Sequence, residues 1–391
     1  MKKRWLLPSL LVGTLYAEEF SYRGNVGIES SLIKHDIPHK RDHQNAVDLS
    51  LELKQTVDQG EWVFNAQSLY DFEDHERRYI NLNDLYYKHN FDDADLLIGR
   101  NTRFWGAMEF YNHTDNFNTK NWLDDPFDYD SKIGAWNIAY TYYFDNAELS
   151  MITKFHEEEQ RVQDGESVDN LFPANYETTL ETQEGRNRPT LYLKYSGSGE
   201  EVQIDYALIY QNGYDEQRYL APVGVNLRQH AYLVNKLMGY ATLIEGETIY
   251  KTELAYTQSE ENLVSNYTQM SVGLEHTLYG IMGKADMGLL AEYYRYTSFD
   301  HEKLGAEEFG NLFANDVALG FRITLNDGAD SDILGGVSID QDNQEKIYAI
   351  EYNTRVDNRY KLKLSYQHLS PEDGSVFQEL NRATVELGYY F

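Results

Sequence analysis

The residues best placed to act on a charged solute fall in one stretch, "GRNTRFWGAMEFYNHTDNFNTKNWLDDPFDYDSKIGAW", residues 99–136. Asp115, Asp124, Asp125, Asp128 and Asp130 stand there against Arg103 and Lys120. Carboxylates gathered in a confined passage attract cations, more strongly where low-dielectric walls surround them. Set in such a passage, this stretch would give a mostly acidic lining that favours cations. The alternative is that these aspartates cap turns on a solvated loop. "DDPFDYDS" also has oxygen ligands enough for calcium, but it lacks the glycine and terminal glutamate of an EF-hand loop.

Other chemistry is less favoured. His35, His39 and His43 recur four apart with Asp36 and Asp42 between them, a set that suits zinc or copper. Pro38 prevents a regular helix there, so the spacing does not put the imidazoles on one face, and a solvated loop is the better reading. His276 and scattered serines make no Ser/His/Asn or Asp/His constellation, which argues against an enzyme. Tyr87, Tyr143, Tyr192 and Tyr294 offer aromatic faces on which a sugar could slide, although 33 tyrosines make any one of them a weak marker. Neither a cofactor nor a metal is expected.

The elements that must carry the stretch are strands. Read for alternation, the chain divides into eighteen segments, approximately 19–33, 45–57, 60–72, 77–90, 94–104, 132–144, 146–157, 188–197, 200–211, 227–243, 247–258, 265–278, 284–297, 314–326, 330–340, 344–355, 358–369 and 379–391. The pattern slips in 77–90 and is ambiguous in 227–243, where bulges are expected. Connections alternate. Those after even-numbered segments are short turn sequences such as "DQG" and "DNRY"; most of those after odd-numbered ones are long and charged, including 34–44, 105–131, 158–187, 212–226 and 298–313. A Greek-key sandwich has no reason to keep that parity, whereas an up-and-down membrane barrel has short turns on one side and long loops on the other.

The ends and the composition agree. Lys2, Lys3 and Arg4 precede an apolar run to Leu15, and Ala17 closes a segment laid out like a secretory signal peptide over residues 1–17. Residues 18–391 then form the mature barrel. No later stretch is apolar enough for a transmembrane helix. With no cysteine, neither disulfides nor thiolate metal sites contribute. Removing three bases takes the formal charge from −30 to −33, which argues against a nucleic-acid partner. On the polar faces, Glu29, Asp48, Glu52, Glu148, Asp205, Glu253, Glu275, Asp286, Glu292 and Glu386 oppose Arg23, Lys54, Lys154, Lys194, Lys251, Arg322, Lys361, Lys363 and Arg382. The lumen is thus nearly balanced, and the negative charge belongs mainly to the loops.

Two stretches resemble known proteins. The terminal strand, with Val385, Leu387, Tyr389 and Phe391 on one face, resembles the assembly signal of Gram-negative outer-membrane barrels. Gly99-Arg100, Trp105-Gly106 and then Asn112, Asp115 and Asn118 resemble a motif of porin-like outer-membrane channel families, with His113 where those families often carry proline. The resemblance implies a single transmembrane up-and-down antiparallel β-barrel of about eighteen strands, with sixteen as the alternative. It also implies passive passage of small hydrophilic solutes or ions, or of one small organic solute, and a loop 105–131 that folds inward. In that loop Trp105 and Trp122 would anchor the ends, while Asn112, Asp115 and Asn118 would satisfy its backbone. The partners implied are outer-membrane lipid and lipopolysaccharide and the barrel assembly machinery, with the barrel working either alone or as a homotrimer.

Overall fold

In a strand, successive side chains point to opposite faces, so an alternating sequence forms a sheet with one apolar and one polar side. In the computed structural model this holds around the whole molecule. The structure describes residues 19–34, 41–123, 125–165, 167–168, 170–171, 174–177, 179–281, 283–304, 313–372, 375 and 377–391. The segment 1–17 expected as a signal peptide, His35, His39 and Asp124 lie outside the described residues.

The wall begins with β1 (Glu19–Lys34), β2 (His43–Val57), β3 (Gly60–Asp71), β4 (Tyr79–Asn90) and β5 (Ala94–Asn101). After a short loop ladder of β6 (Thr119–Lys120) and β7 (Lys132–Ile133) it continues with β8 (Ala135–Tyr143) and β9 (Ala147–Lys154). β10 (Glu181–Thr182) belongs to a loop, and β11 (Thr190–Ser198) and β12 (Ile204–Tyr214) to the wall. β13 (Tyr219–Val223) and β14 (Asn226–Ala231) form a hairpin that pairs with β10 outside the wall. The rest is wall: β15 (Leu233–Glu245), β16 (Thr248–Ser259), β17 (Tyr267–Ile281), β18 (Ala285–Ser298), β19 (Asn315–Thr324), β20 (Asp332–Asp340), β21 (Lys346–Asp357), β22 (Tyr360–Ser370) and β23 (Leu380–Tyr390).

Eighteen strands make one antiparallel sheet, and β23 pairs with β1 to close it. Closure removes the open edges that would otherwise expose unpaired backbone groups. At the seam Phe391 and Gly24 exchange both backbone hydrogen bonds at 3.0 Å, and the Phe391 ring lies where a Cβ on Gly24 would fall. Val385 and Leu387 face outward and are exposed beside it.

The outer face is apolar, with Ile28, Leu49, Leu191, Leu208, Leu254, Leu319 and Ile350 all exposed. Exposed aromatics collect at both rims: Phe20, Tyr22, Trp62, Phe91, Phe144 and Tyr279 at the short-turn end, and Tyr70, Phe72, Phe104, Phe155 and Phe299 at the long-loop end. Such girdles flank the hydrocarbon band of a barrel that crosses a bilayer. The slip in 77–90 is a bulge: β3 and β4 shift register between Asn65 and Ala66, so that Asn83 has no partner. The ambiguous segment 227–243 is corrected. It is two strands, β14 in a loop and β15 in the wall, separated at Tyr232, and the preceding connection occupies 215–232 rather than 212–226. Both halves alternate, so periodicity alone could not separate them.

The inner face is a lattice of ion pairs. Arg23 meets Glu52 at 2.7 Å, Lys54 meets Glu61 at 2.5 Å, Lys194 meets Glu148 at 3.1 Å, and Lys363 meets both Glu351 and Glu386 at 3.3 Å. The near balance of charge on the polar faces is therefore local pairing between neighbouring strands.

Candidate functional site

Beyond β5 the chain leaves the wall and turns into the lumen. Gly99 permits the approach, since its φ of +144° and the Leu85 carbonyl beside it leave no room for a Cβ. Asn118 then ties both ends of the inserted segment. Its Oδ1 accepts the Arg103 amide at 2.7 Å, while its Nδ2 donates to the carbonyls of Asn101 at 3.1 Å and Ile133 at 2.9 Å. A carboxamide suits this point because it carries donor and acceptor together. Asn112 closes a tighter turn, accepting the Met108 amide at 2.9 Å and donating to the Met108 carbonyl at 3.0 Å. Trp105 is buried against Phe117 and Tyr192, with ring centroids 5.5 and 5.3 Å away. Trp122 is only half-buried; its backbone amide donates to the Arg161 carbonyl at 2.8 Å.

The wall holds this loop with two carboxylates that the loop's own sequence does not reveal. Glu253 accepts the amides of Ala107 at 2.7 Å and Thr114 at 3.1 Å. Glu292 accepts those of Glu109 at 2.9 Å and Phe110 at 3.2 Å, and the adjacent Tyr294 hydroxyl accepts the Tyr111 amide at 3.2 Å. Lys154 donates to the Phe117 carbonyl at 3.3 Å, and Lys236 reaches Asn116 Oδ1 at 3.4 Å. Hydrogen bonds to ionised groups are the strong ones, and here they satisfy a backbone far from the sheet ladder. Tyr192 and Tyr294 are consumed in this packing and do not form a sugar slide: both are buried, with the Tyr192 hydroxyl donating to the Asn116 carbonyl at 3.2 Å.

Two further connections fill the same side. Asp215 is fully buried, bridging Lys236 at 2.9 Å and accepting from the hydroxyls of Tyr232 and Tyr267. Arg218 pairs with Glu157, which also meets Lys154 at 2.9 Å. His113 is buried among Tyr111, Tyr294 and Gln269, and that burial, with Lys236 nearby, pushes its imidazole down to about 3, so it stays neutral.

An open cavity lies along β17–β22. Of about 370 Å³, it runs between Glu109, Phe110 and Asp130 of the loop and Glu275, Leu290, Arg322, Leu334, Ala349 and Glu351 of the wall. Phe110 fits because the wall is notched: a Cβ on Gly336 would stand 2.8 Å from its ring, and one on Gly320 3.0 Å. Glu109 links loop and wall electrically, with Lys251 at 3.0 Å and Arg322 at 3.9 Å.

The charged residues singled out in the sequence separate into distinct places. Asp130 is exposed and lines the cavity. Asp125 reaches the wall, meeting Arg382 at 2.6 Å and Gln367 at 2.8 Å. Burial pushes its carboxyl up, but the Arg382 guanidinium and these hydrogen bonds outweigh it and hold it below the usual range. Asp128 accepts the amides of Asp130 at 2.9 Å and Ser131 at 3.1 Å, a turn role, and burial beside Asp125 raises its carboxyl. Asp115 is buried between Lys120 at 3.1 Å and Lys132 at 2.5 Å, so its charge is neutralised inside the loop instead of facing the lumen. Arg103 lies over the Phe117 ring at 5.2 Å and bonds Asn137 at 3.3 Å, away from the cavity. Glu109, Phe110, Glu253 and Glu292 were not singled out for these roles; the signal available was the glycines at inward positions of "ALGF" and "LGGV".

No family model matches the sequence, and no curated protein does. Solved structures do. Acinetobacter baumannii OccAB4 superposes with a TM-score of 0.60 at 9% identity, covering 97% of this chain and 100% of that one. Pseudomonas aeruginosa OpdO gives 0.57 at 10% identity over 96% and 98% of the two chains. Pseudomonas aeruginosa OccD3 (OpdP) gives 0.55 at 12% over 96% and 92%. The fold is that of the Gram-negative outer-membrane porins. At these identities the likeness is one of architecture. Within the porin fold, the particular side chains that hold the inserted loop here are read from this chain alone.

Proposed function

We propose that this chain is a passive diffusion channel of a Gram-negative outer membrane, admitting small hydrophilic solutes and ions and performing no chemistry. The observation that carries the reading is the suspension of residues 102–134 inside the barrel from Glu253 and Glu292, with a charged cavity left beside it. A solute that follows this route passes beside the Glu109–Arg322 pair, with Asp130 on the loop side and Leu334 and Glu351 on the wall side. Carboxylates outnumber bases on the cavity surface, which supports a weak preference for cations. On this reading Asp125, Asp128 and Asp130 act differently: Asp130 on the passing solute, and Asp125 and Asp128 on the shape of the loop.

The outer face would meet lipid and lipopolysaccharide, and the β23 face of Val385, Leu387, Tyr389 and Phe391 would be read by the barrel assembly machinery. Cross-linking in intact membranes distinguishes a lone barrel from a homotrimer. The test of function is conductance of the purified protein in planar bilayers, with reversal potentials in a salt gradient before and after Asp130→Asn. A shift toward anions supports the reading, and a membrane that carries no current refutes it.

A further inference from the structure

One feature of the lumen departs from a plain aqueous pore. Adjacent inward residues in register form a row across seven strands, β17 to β23, from Glu275 through Leu290, Gly320, Gly336 and Ala349 to Gln367 and Arg382. The four central members have no hydrogen-bonding side chain. Leu334, inward beside Arg322, widens this apolar band, and the Phe110 ring faces it from the loop. Gly320 and Gly336 make room for that ring, while Leu290, Leu334 and Ala349 leave apolar surface along the passage that offers a hydrated ion no favourable contact.

The charges around it are unequally neutralised. Lys251 lies 3.0 Å from both Glu109 and Glu275, and Lys363 lies 3.3 Å from Glu351. Asp130 makes no direct ion pair among the described residues: Lys120 and Lys132, close enough to feel its charge, both make their direct ion pair with Asp115. The cavity therefore presents apolar surface on two sides and, at its edge, one exposed carboxylate without a direct ion pair. Its volume of about 370 Å³ lies within the range of about 300–1,000 Å³ in which small organic molecules are held.

We propose that the preferred solute is a small organic ammonium carrying an aromatic or hydrocarbon body, the body lying against the exposed side of the Phe110 ring and the Leu334 and Ala349 side chains beside it while the ammonium meets Asp130. This rests on the channel reading and names its solute. Charge alone would favour any cation; the band adds selection for the apolar body.

The test uses the full mature chain in planar bilayers with potassium chloride. Phenethylammonium, ethylammonium and 3-phenylpropionate are each added and the interruption of current is measured. Phenethylammonium should act at a concentration about ten-fold lower than either comparison, a difference of about 1.4 kcal/mol. Asp130→Asn should abolish its advantage over 3-phenylpropionate, and Leu334→Asn its advantage over ethylammonium. Ala349→Ser provides a milder second variant should Leu334→Asn not assemble. A conducting channel on which ethylammonium or 3-phenylpropionate acts equally well overturns the solute class while leaving the channel reading intact. Absence of any current removes both.

Discussion

Glu253 of the wall holds Thr114 of the inserted loop, its carboxylate accepting the Thr114 amide at 3.1 Å while its other oxygen accepts that of Ala107 at 2.7 Å. One buried side chain thus sets the position of two loop points seven residues apart. Replacing it by glutamine puts an NH2 group against one of those donors. Hydrogen bonds to a charged acceptor contribute about 1.5–3 kcal/mol each. Glu253→Gln should leave the barrel assembled but release the loop. The expected record is a noisier, larger single-channel conductance, and quiet wild-type traces would refute the assignment.

Gly336 and Phe110 make a second test of loop position. A side chain at Gly336 would meet the Phe110 ring at 2.8 Å, so Gly336→Val must displace the ring. Over-packing of this kind costs about 1–3 kcal/mol. Conductance should change in Gly336→Val and return toward wild type in the double variant with Phe110→Ala, because the second change removes the clashing ring. Strict additivity of the two would show that they do not meet.

The Asp125–Arg382 tether predicts a pH dependence. The Asp125 carboxyl is held below the ordinary value of about 3.9, so its contribution to loop docking is complete above that value and is lost as pH falls through the lower folded value. The part of the trace that depends on this tether, read as the difference between wild type and Asp125→Asn, should persist from neutral pH down to about 4 and vanish only below it. Asp125→Asn should show the unstable state at neutral pH. A wild-type transition near pH 6 would mean that another group controls the loop.

Arg77 tests stability at the long-loop rim. Its side chain is fully buried and meets Asp71 at 2.8 Å, Glu29 at 3.1 Å and the Leu123 carbonyl at 3.2 Å. Arg77→Met leaves Asp71 buried without this cation, and breaking a pair of this kind costs about 3–5 kcal/mol. The temperature at which the folded band is lost on a gel should fall markedly, with single-channel conductance less affected than in Glu253→Gln.

Deleting Phe391 removes a mutual pair of backbone hydrogen bonds with Gly24 at the closing seam. Assembled protein in the outer membrane should drop several-fold on immunoblots of fractionated cells, with unassembled chain accumulating. Equal amounts in the membrane would detach this residue from assembly.

Alternation is a local property, and it is why all eighteen wall strands could be read from segments such as Val47, Leu49, Leu51 and Leu53, and why Lys363 and Glu386 could be put on the lumenal side before their strands were paired. The alternation of short and long connections and the terminal aromatic strand are local in the same sense. Where the signal was blurred, at 227–243, two alternating strands adjoined with only Tyr232 between them. What the residues of 99–136 would touch was not legible. Ala107 and Glu253 stand 146 positions apart, and Glu109 and Glu292 stand 183 apart, so only closure of the cylinder brings each pair to hydrogen-bonding distance. The same closure turned Asp115 inward onto two lysines and left Asp130 facing the passage, a distinction that depends on which neighbours share the interior and that no spacing along the chain encodes.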